Sequence, residues 1–460
     1  MSHPSTPHSP GAPESADLFV LPEFAIDTPA RLAIIGAGPA GLEAALYARF
    51  LGYDIAVFDR GRVVERLRSR RHLPTLQPFR SLCSPLGIQA LEAQHDGFQT
   101  PVADSSPTIG EWLDRYLLPL AATDLLADHI RENTEVLAVG RAGFLRGEMA
   151  DDPDRGDYSF RVLFRASEER ALEERASEEH ERIEEFDGVI DASGLDMPRF
   201  LGESGIPAIG ELAARRCDKA PWRNVPPDLA GIDLETFRQQ RIVIVGETLD
   251  AALSLRSACE LSERFPQTRV TWITRRLVDV VDVDSPGPIE EPTGDFGDAV
   301  LQLIRDTNAL ARSPNRVQLL SGTAIHAMRA MERESNAAPW RLELIGKHAG
   351  TLECDWLLGH VGFRVDERIT SELHVRRCPA RDRVLGDALD IAMNPSRHRV
   401  SASDGVIAEP HYHVIGNKRA GKPLGVTFAQ CLEQIQRLFA ILGDRPSLNL
   451  YANRKPNRDG

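Results

Sequence analysis

The strongest constraint on the fold is an apolar run that leads directly into a glycine pattern. Residues Leu32–Ile35 predict a buried strand, and Gly36-x-Gly38-x-x-Gly41 follows at once. Residues 42–50 continue with helical spacing, and a second apolar run, Ile55–Phe58, ends on Asp59. Strand, glycine turn, helix, strand and acid together predict a βαβ unit that binds a dinucleotide.

Each residue type in this unit has a physical role. Gly36 permits the tight turn, Gly38 carries no side chain to keep a pyrophosphate from the backbone, and Gly41 lets the helix lie close to the strand. The helix amino terminus offers N–H groups to phosphate, and Asp59 can accept hydrogen bonds from a ribose. The alternative is a glycine-rich turn in an ordinary α/β domain, against which the placement of Asp59 argues. The predicted cofactor residues here are Gly36, Gly38, Pro39, Ala40, Gly41, Asp59 and Arg60.

Composition limits the partners. A chain of 460 residues is expected to form at least two domains, and 42% apolar with 27% charged residues is typical of a soluble globular protein. A net charge of −14 disfavours nucleic acid and acidic membranes. We expect no membrane span and no secretory signal, and six scattered cysteines without a CxxC pair indicate a reduced, cytoplasmic protein. No metal site is predicted.

A second, altered unit follows later in the chain. The strand Arg241–Val245 leads to Gly246 and a helix, and the next strand, Arg269–Thr274, closes on Arg275 and Arg276. Two arginines at the end of that strand suit the 2′-phosphate of NADPH better than an acid would.

The second unit has Thr248 where the pattern expects its middle glycine. Glu247 and Asp250 also bring carboxylates near the phosphate position. Bulk and like charge both oppose a pyrophosphate there. Two interpretations stay open: the unit binds NADPH, or it keeps the fold and binds nicotinamide nucleotides weakly or not at all.

Two further segments have recognisable patterns. Residues Asp187–Gly194 form a strand that ends in small residues, among them Ser193 and Gly194, which fits close passage by a cofactor. Near the carboxyl terminus, His411–Lys418 reads as a strand entering a turn, followed by a helix from about residue 426 to residue 442.

Taken in order, these segments resemble the superfamily of flavoprotein pyridine-nucleotide oxidoreductases with two dinucleotide-binding domains. That superfamily includes thioredoxin-reductase-like enzymes and class B flavin monooxygenases. The resemblance covers roughly residues 30–445 and implies FAD in the first unit and NAD(P)H in the second. It also implies that Gly416 and Asn417 form the turn beside the flavin, with Val426, Thr427 and Phe428 near its pyrimidine edge.

The fold class expected from this resemblance is α/β, with two Rossmann-like three-layer dinucleotide-binding domains, the NAD(P)-binding domain inserted in the FAD-binding domain. The first domain takes residues 29–199 and 372–445, and the second takes residues 200–371. Charged residues 165–185 are expected to form a solvated, partly helical insertion. Residues 1–28 should be a disordered tail, and residues 446–460 a mobile one.

Three departures from the superfamily limit its implications. The chain has no CxxC, and Ala40 stands where some thiol-disulfide relatives keep a cysteine, so disulfide reduction by a protein dithiol is disfavoured. The Phe-x-Gly-x-x-x-His fingerprint of many class B monooxygenases is missing. Asn417 replaces the usual acid, which leaves a weaker acceptor for the cofactor.

The leading functional hypothesis is that NADPH reduces bound FAD, which then acts as a monooxygenase on a small organic substrate. The alternatives are a reductase or oxidase without oxygen insertion, and a non-catalytic FAD-binding protein. His360, His411 and His413 are candidate acid–base groups, but satisfied structural histidines are the favoured interpretation. Cys83 is a candidate reactive thiol, with inert packing favoured. The substrate and the oligomeric state are not predicted.

Overall fold

The computed structural model describes most of the chain. It covers residues 25–94, 97–99, 104–149, 152–167, 179–217, 221–275, 294–311, 313, 315–331, 340–378, 380, 383–385, 387–393, 409–420 and 426–453. None of the helices within these ranges is long and apolar enough to cross a membrane.

The described strands follow one another in two similar series. They are β1 (Arg31–Ile35), β2 (Asp54–Phe58), β3 (Ile130–Arg131), β4 (Thr134–Arg141), β5 (Phe160–Ser167), β6 (Glu179–Phe186), β7 (Gly188–Asp191), β8 (Met197–Pro198), β9 (Trp222–Arg223), β10 (Arg241–Val245), β11 (Arg269–Thr274), β12 (Gln318–Ser321), β13 (Thr323–Ala330), β14 (Trp340–Gly346), β15 (Gly350–Cys354), β16 (Trp356–Gly359), β17 (Phe363–Arg364) and β18 (Tyr412–Val414).

Helices separate the strands. They are α1 (Pro39–Leu51), α2 (Glu65–Arg68), α3 (Pro85–Gln94), α4 (Ile109–Trp112), α5 (Leu118–Ala121), α6 (Glu211–Arg215), α7 (Leu234–Phe237), α8 (Leu249–Arg264), α9 (Gly294–Ala311), α10 (Ala388–Met393), α11 (Asn417–Ala420) and α12 (Phe428–Leu442). One turn of π-helix, Leu113–Leu117, joins α4 to α5.

The first domain has a parallel five-stranded sheet in the order β18-β7-β1-β2-β3. Strand β1 is buried on both faces, because Leu32 and Ile34 pack on the helical side while Ala33 and Ile35 pack against the antiparallel sheet β4-β5-β6. An apolar run without alternation is what such a doubly covered strand requires. The domain therefore has three layers: helices, parallel sheet and antiparallel sheet.

The second domain repeats this arrangement. Its parallel sheet has the order β12-β11-β10-β16-β9, with α8 on one face and the antiparallel sheet β13-β14-β15 on the other. Its strands lie in sequence between β7 and β18 of the first sheet. The predicted fold class is confirmed: two Rossmann-like α/β domains of three layers each, one inserted in the other.

A small antiparallel pair connects the two domains. Strand β17 pairs with β8, so that Phe363 lies opposite Pro198 and Arg364 lies opposite Met197. Strand β16 belongs to the second sheet, and β17 follows it before the chain returns to the first domain.

Three predictions about irregular regions need correction. Both ends of the charged insertion are strands, since residues 165–167 belong to β5 and residues 179–185 belong to β6, which pairs with β5. Residues 168–178 lie outside the described part. Ile26, expected in the disordered tail, is buried and its N–H donates to the carbonyl of Leu442 at 2.8 Å. In the tail expected to be mobile, Tyr451 packs edge-on against Tyr47 with ring centroids 5.2 Å apart.

A buried ion triad joins the antiparallel sheet of the first domain to the segment before β18. Glu409 accepts hydrogen bonds from Arg141 Nε at 2.7 Å and from Arg155 Nε at 3.0 Å, and all three side chains are buried. Burial by itself raises the pKa of Glu409, but hydrogen bonds from Arg155, the N–H of His374 and Arg141 hold it below its usual value.

Removing the charge at the centre of this triad is expected to destabilise the protein strongly. Glu409→Gln leaves two guanidinium groups without a counter-charge, which costs about 3 kcal/mol in the free energy of unfolding. Urea unfolding at pH 7 measures this loss. The control Glu181→Gln breaks the half-exposed pair with Arg165 on the same sheet and is expected to cost under about 0.5 kcal/mol. Equal losses in both variants would contradict the assignment.

Candidate functional site

The first glycine turn is fixed by close backbone contacts. Gly36 has φ +101°, and a Cβ there would lie 2.8 Å from the carbonyl oxygen of Ala192. A Cβ on Gly41 would lie 1.8 Å from the carbonyl oxygen of Gly36. Both positions therefore exclude any side chain, and both serve the packing of α1 against β1 and the end of β7.

Gly38 differs from its two neighbours in the pattern. A Cβ there would meet no atom of the described residues within 4 Å, so no contact among them requires glycine at this position. Gly38 is the N-cap of α1 and makes no side-chain cap, and Pro39 takes the first turn. Gly38 thus supplies no side-chain cap to this helix amino terminus, and no described atom fills the space beside it, as a pyrophosphate site requires.

Asp59 stands beside this opening at the end of β2. One carboxylate oxygen accepts from the N–H of Ala37 at 2.8 Å and the other from Gly61 at 2.9 Å. Burial raises the pKa of Asp59, and these two hydrogen bonds oppose the shift. Each oxygen keeps a lone pair for a further donor. Arg60 points elsewhere: it forms a two-point ion pair with Asp196.

The end of β7 holds a buried polar network. Asp191 accepts hydrogen bonds from the Ser193 hydroxyl at 2.6 Å and the Tyr412 hydroxyl at 2.8 Å, and Lys418 Nζ lies 2.6 Å from its carboxylate. Lys418 also donates to Ser193 Oγ at 3.1 Å. Burial raises the pKa of Asp191, but Lys418 and the hydroxyl donors outweigh it and hold the pKa below its usual value.

The carboxyl-terminal turn lies against the same opening. Gly416 has φ +68°, and a Cβ there would lie 3.4 Å from the Cβ of Ala40. The side-chain oxygen of Asn417 accepts from the N–H of Val426 at 2.5 Å, which leaves its amide group as a donor. Thr427 caps α12 with Gln430 in a capping box.

The structure brings most of the predicted first-site residues together. Gly36 touches Ala192, next to Ser193 and Gly194, and Ala40 adjoins Gly416. The ring of Phe428 is buried in the core and stands edge-on to the ring of Trp112, with the two ring centroids 5.9 Å apart. Sequence reasoning missed the buried pair of Asp191 and Lys418, although both residues belong to segments it had singled out.

The second glycine turn has the same backbone and a different opening. Gly246 has φ +121°, and a Cβ there would lie 2.0 Å from the carbonyl oxygen of His360. Thr248 caps α8, since its hydroxyl accepts from the N–H of Ala251 at 3.4 Å while it donates to the His360 carbonyl at 2.9 Å. Here a side chain occupies the cap that Gly38 leaves open in the first unit.

An ion pair between the domains lies beside this cap. Arg70 from the first domain binds Asp250, in the first turn of α8, through two hydrogen bonds of 2.7 and 2.8 Å. The side chains are only 15% and 19% exposed. A small apolar cluster adjoins the pair, formed by Leu73, Ala252, Leu253 and Leu303 with Leu76, Ile109 and Leu249 at its margin. Arg275 is exposed at the end of β11, and Arg276 lies outside the described residues.

Two of the three candidate acid–base histidines are buried, with pKa values well below the usual value for histidine. Burial lowers the pKa of His360 to about 4, and its Nε2 is 2.8 Å from Ser254 Oγ. Burial also lowers the pKa of His413 to about 3. Both are therefore neutral at pH 7. His411 is half-buried with φ +59°.

The reactive-thiol hypothesis finds little support. Burial, followed by the nearby Glu43, raises the pKa of Cys83 to about 12, so its thiol is protonated at neutral pH. All six cysteines are free. Within the described ranges, the His, Cys, Asp and Glu side chains form no group of three that could hold a metal ion.

Comparison with solved structures identifies the fold. The chain is similar to bacillithiol disulfide reductase Bdr from Bacillus cereus (TM-score 0.57, 15% identity, 91% of this chain and 100% of that one). It is similar to the FAD-bound cadaverine monooxygenase DfoA from Erwinia amylovora (TM-score 0.55, 12% identity, 94% of this chain and 99% of that one). It is also similar to thioredoxin reductase from T. acidophilum (TM-score 0.51, 15% identity, 90% of this chain and 98% of that one).

These similarities confirm the predicted resemblance at the level of fold. The chain has the architecture of the thioredoxin-reductase-like and flavin-monooxygenase-like oxidoreductases with two dinucleotide-binding domains. No protein-family model and no curated protein matches the sequence.

The pair of Asp191 and Lys418 makes a measurable prediction. In Lys418→Met the buried carboxylate loses its counter-charge, so at pH 7 the free energy of unfolding should fall by about 3 kcal/mol. The loss should shrink as the pH falls, because Asp191 can then take up a proton. Urea unfolding at pH 7 and pH 5 measures both effects. Lys347→Met, at an exposed site, is the control and should change little. A loss that is independent of pH would contradict this account.

Proposed function

We propose that the protein is an FAD-dependent oxidoreductase whose first domain holds the flavin nucleotide. The observation that carries this proposal is the opening at Gly38: an uncapped helix amino terminus with free space where a Cβ would stand. Ala192 to Gly194 and Gly416 border the same opening. The similar fold of DfoA, whose solved structure is bound to FAD, supports it.

The residues of the first site divide the binding task. Backbone N–H groups at the start of α1 would face the pyrophosphate, and the free lone pairs of Asp59 would accept the ribose hydroxyls. The Ser193 hydroxyl donates to Asp191 and accepts from Lys418, and these two hydrogen bonds hold the loop after β7 in place where it borders the opening. The bound flavin would supply the redox chemistry, and these side chains hold and orient it.

NADPH is the proposed reductant of the flavin. The exposed Arg275, followed by Arg276, suits a 2′-phosphate, and the second domain keeps the glycine turn at Gly246. The Thr248 cap and the carboxylate of Asp250 oppose tight binding of a pyrophosphate. These two features favour weak NADPH affinity and keep a non-catalytic FAD-binding protein as the second candidate.

The proposed reaction is monooxygenation of a small organic substrate, for which a bound flavin would supply the redox chemistry. The likeness to DfoA supports this, and the protonated Cys83 thiol with no CxxC partner argues against a dithiol reductase. The alternative within the enzyme class is a reductase or oxidase that inserts no oxygen.

The visible spectrum of the purified protein tests the proposal. Bound FAD gives absorption near the flavin bands, and anaerobic NADPH should bleach it faster than NADH. A yellow protein that neither nucleotide bleaches would identify the non-catalytic candidate. A colourless protein that refuses added FAD would refute flavin binding altogether. In air, hydrogen peroxide equal to the NADPH consumed, with any substrate tried, would favour an oxidase.

Two glycine substitutions separate cofactor binding from folding. Gly38→Ala adds a methyl group into open space, so the unfolding free energy of the apoprotein should stay within about 0.5 kcal/mol while FAD affinity drops at least tenfold. Gly41→Ala forces a methyl group to within 1.8 Å of a carbonyl oxygen and should destabilise the apoprotein itself. FAD titration and thermal melts measure the two quantities. Unchanged FAD affinity in Gly38→Ala would contradict the site.

The ion pair of Arg70 and Asp250 predicts how NADPH affinity responds to charge. Asp250→Asn removes a negative charge from the first turn of α8 and frees Arg70 for phosphate, so the Kd for NADPH should fall about five- to tenfold. Fluorescence titration of the FAD-loaded protein measures it. Asp306→Asn, on the exposed face of α9, is the matched control and should leave the Kd unchanged. Weaker binding in Asp250→Asn would show that the carboxylate supports the site.

A further inference from the structure

A carboxyl group lies in the core of the first domain without an obvious reason for being there. Glu43 belongs to α1, two positions beyond Gly41, and its side chain is fully buried. The groups that act on it are three hydroxyls, those of Ser84, Tyr116 and Tyr451. Within the described part of the chain, neither carboxylate oxygen reaches hydrogen-bond geometry with a donor.

Two of these hydroxyls form a rigid wall on one side of Glu43. The Tyr116 hydroxyl accepts from the N–H of Ser84 at 3.0 Å, and Ser84 Oγ accepts from the N–H of Gly87 at 2.7 Å. Tyr116 lies in the π-helical turn, and a Cβ on Gly87 would come within 2.1 Å of its hydroxyl oxygen. The Tyr116 hydroxyl can therefore lie beside Ser84 only because residue 87 has no side chain.

The carboxyl-terminal segment covers the other side. The N–H of Leu450 donates to the Tyr47 hydroxyl at 3.0 Å, and Gln436 donates to the carbonyl of Leu448 at 2.7 Å. The ring of Tyr451 stands edge-on to Tyr47. The Tyr451 hydroxyl is buried beside Glu43 and has no hydrogen-bond partner among the described residues. The buried Tyr451 hydroxyl thus places this segment against the Glu43 carboxyl group.

Glu43 is the group of this cluster that changes charge near neutral pH. Burial raises its pKa to about 7, and the Ser84, Tyr451 and Tyr116 hydroxyls oppose the shift. Burial also raises the pKa values of Tyr47, Tyr116 and Tyr451, and it raises those of Cys83 and Cys431 to about 12. Arg115 acts on Cys83, and its effect on that thiol is smaller than that of burial.

We propose that Glu43 is a proton-dependent latch for the carboxyl-terminal segment Leu448–Asn453. As a neutral acid it lets the segment close over α1, and on losing its proton it releases the segment. A carboxylate buried among hydroxyls has a high free energy until water reaches it. The segment Leu448–Asn453 lies near the end of the chain, where local opening costs the least free energy. Release would bare the side of α1, the helix whose amino terminus borders the Gly38 opening. The latch does not depend on the proposed function.

The direction of the pH effect follows from proton binding. The closed state keeps the Glu43 proton up to a pH of about 7, whereas a solvated carboxyl group loses it near 4.5. Opening therefore becomes easier as the pH rises through this interval and levels off above it. If release hydrates Glu43 fully, the opening equilibrium should rise about tenfold between pH 6 and pH 8.

Hydrogen exchange of the full-length protein tests the latch. Protection of the amides of residues 448–453, corrected for intrinsic exchange rates, should fall about tenfold from pH 6 to pH 8 in the native protein. In Glu43→Gln, which carries no titratable proton, protection should stay constant over this range. Glu92→Gln, on the exposed face of α3, should behave like the native protein. Protection that is flat in the native protein, or that falls equally in Glu43→Gln, would overturn the proposal.

A second variant keeps the proposal testable if Glu43→Gln does not fold. Tyr451→Ala opens the cover at every pH, and the protonated carboxyl band of Glu43 in the infrared spectrum should then disappear well below the pH at which it disappears in the native protein. An unchanged midpoint in Tyr451→Ala would show that the segment does not control the proton, and would refute the latch.

Discussion

The whole first domain depends on one close approach between backbone segments. Gly36 meets the carbonyl of Ala192, and Gly41 meets the carbonyl of Gly36, at distances that no side chain would allow. These contacts bring the end of β1, the start of α1 and the end of β7 to one place. The carboxyl ends of parallel strands then surround a helix amino terminus, and the polar network of Asp191 and Lys418 stiffens that edge.

The two domains share a fold and differ in how the first turn of the equivalent helix is capped. In the first, the helix amino terminus is uncapped beside Gly38; in the second, the Thr248 side chain caps α8 and Arg70 holds Asp250. Since both turns keep a glycine with positive φ against a neighbouring carbonyl, the difference does not come from loss of the fold. The same architecture thus contains one helix amino terminus without a cap from its N-cap side chain and one that a threonine caps.

Local patterns predicted the two βαβ units well, because a strand, a glycine turn and a helix are defined by neighbouring residues. Pairings between distant residues escaped prediction. Lys418 and Asp191 form an ion pair although the whole second domain lies between them in the sequence. The charged segment β6 is a strand because it pairs with β5. The edge contact of Tyr451 with Tyr47 likewise depends on tertiary packing, so the last residues read as a tail.

The insertion has a consequence for synthesis on the ribosome. Strand β18 completes the first sheet beside β7, yet it is made after all the strands of the second sheet. While the second domain is synthesised and folds, β7 lacks its neighbouring strand β18, and Asp191 lacks its ion-pair partner Lys418. The amino-terminal half of the chain is therefore an incomplete folding unit, and its final closure is a late, long-range event.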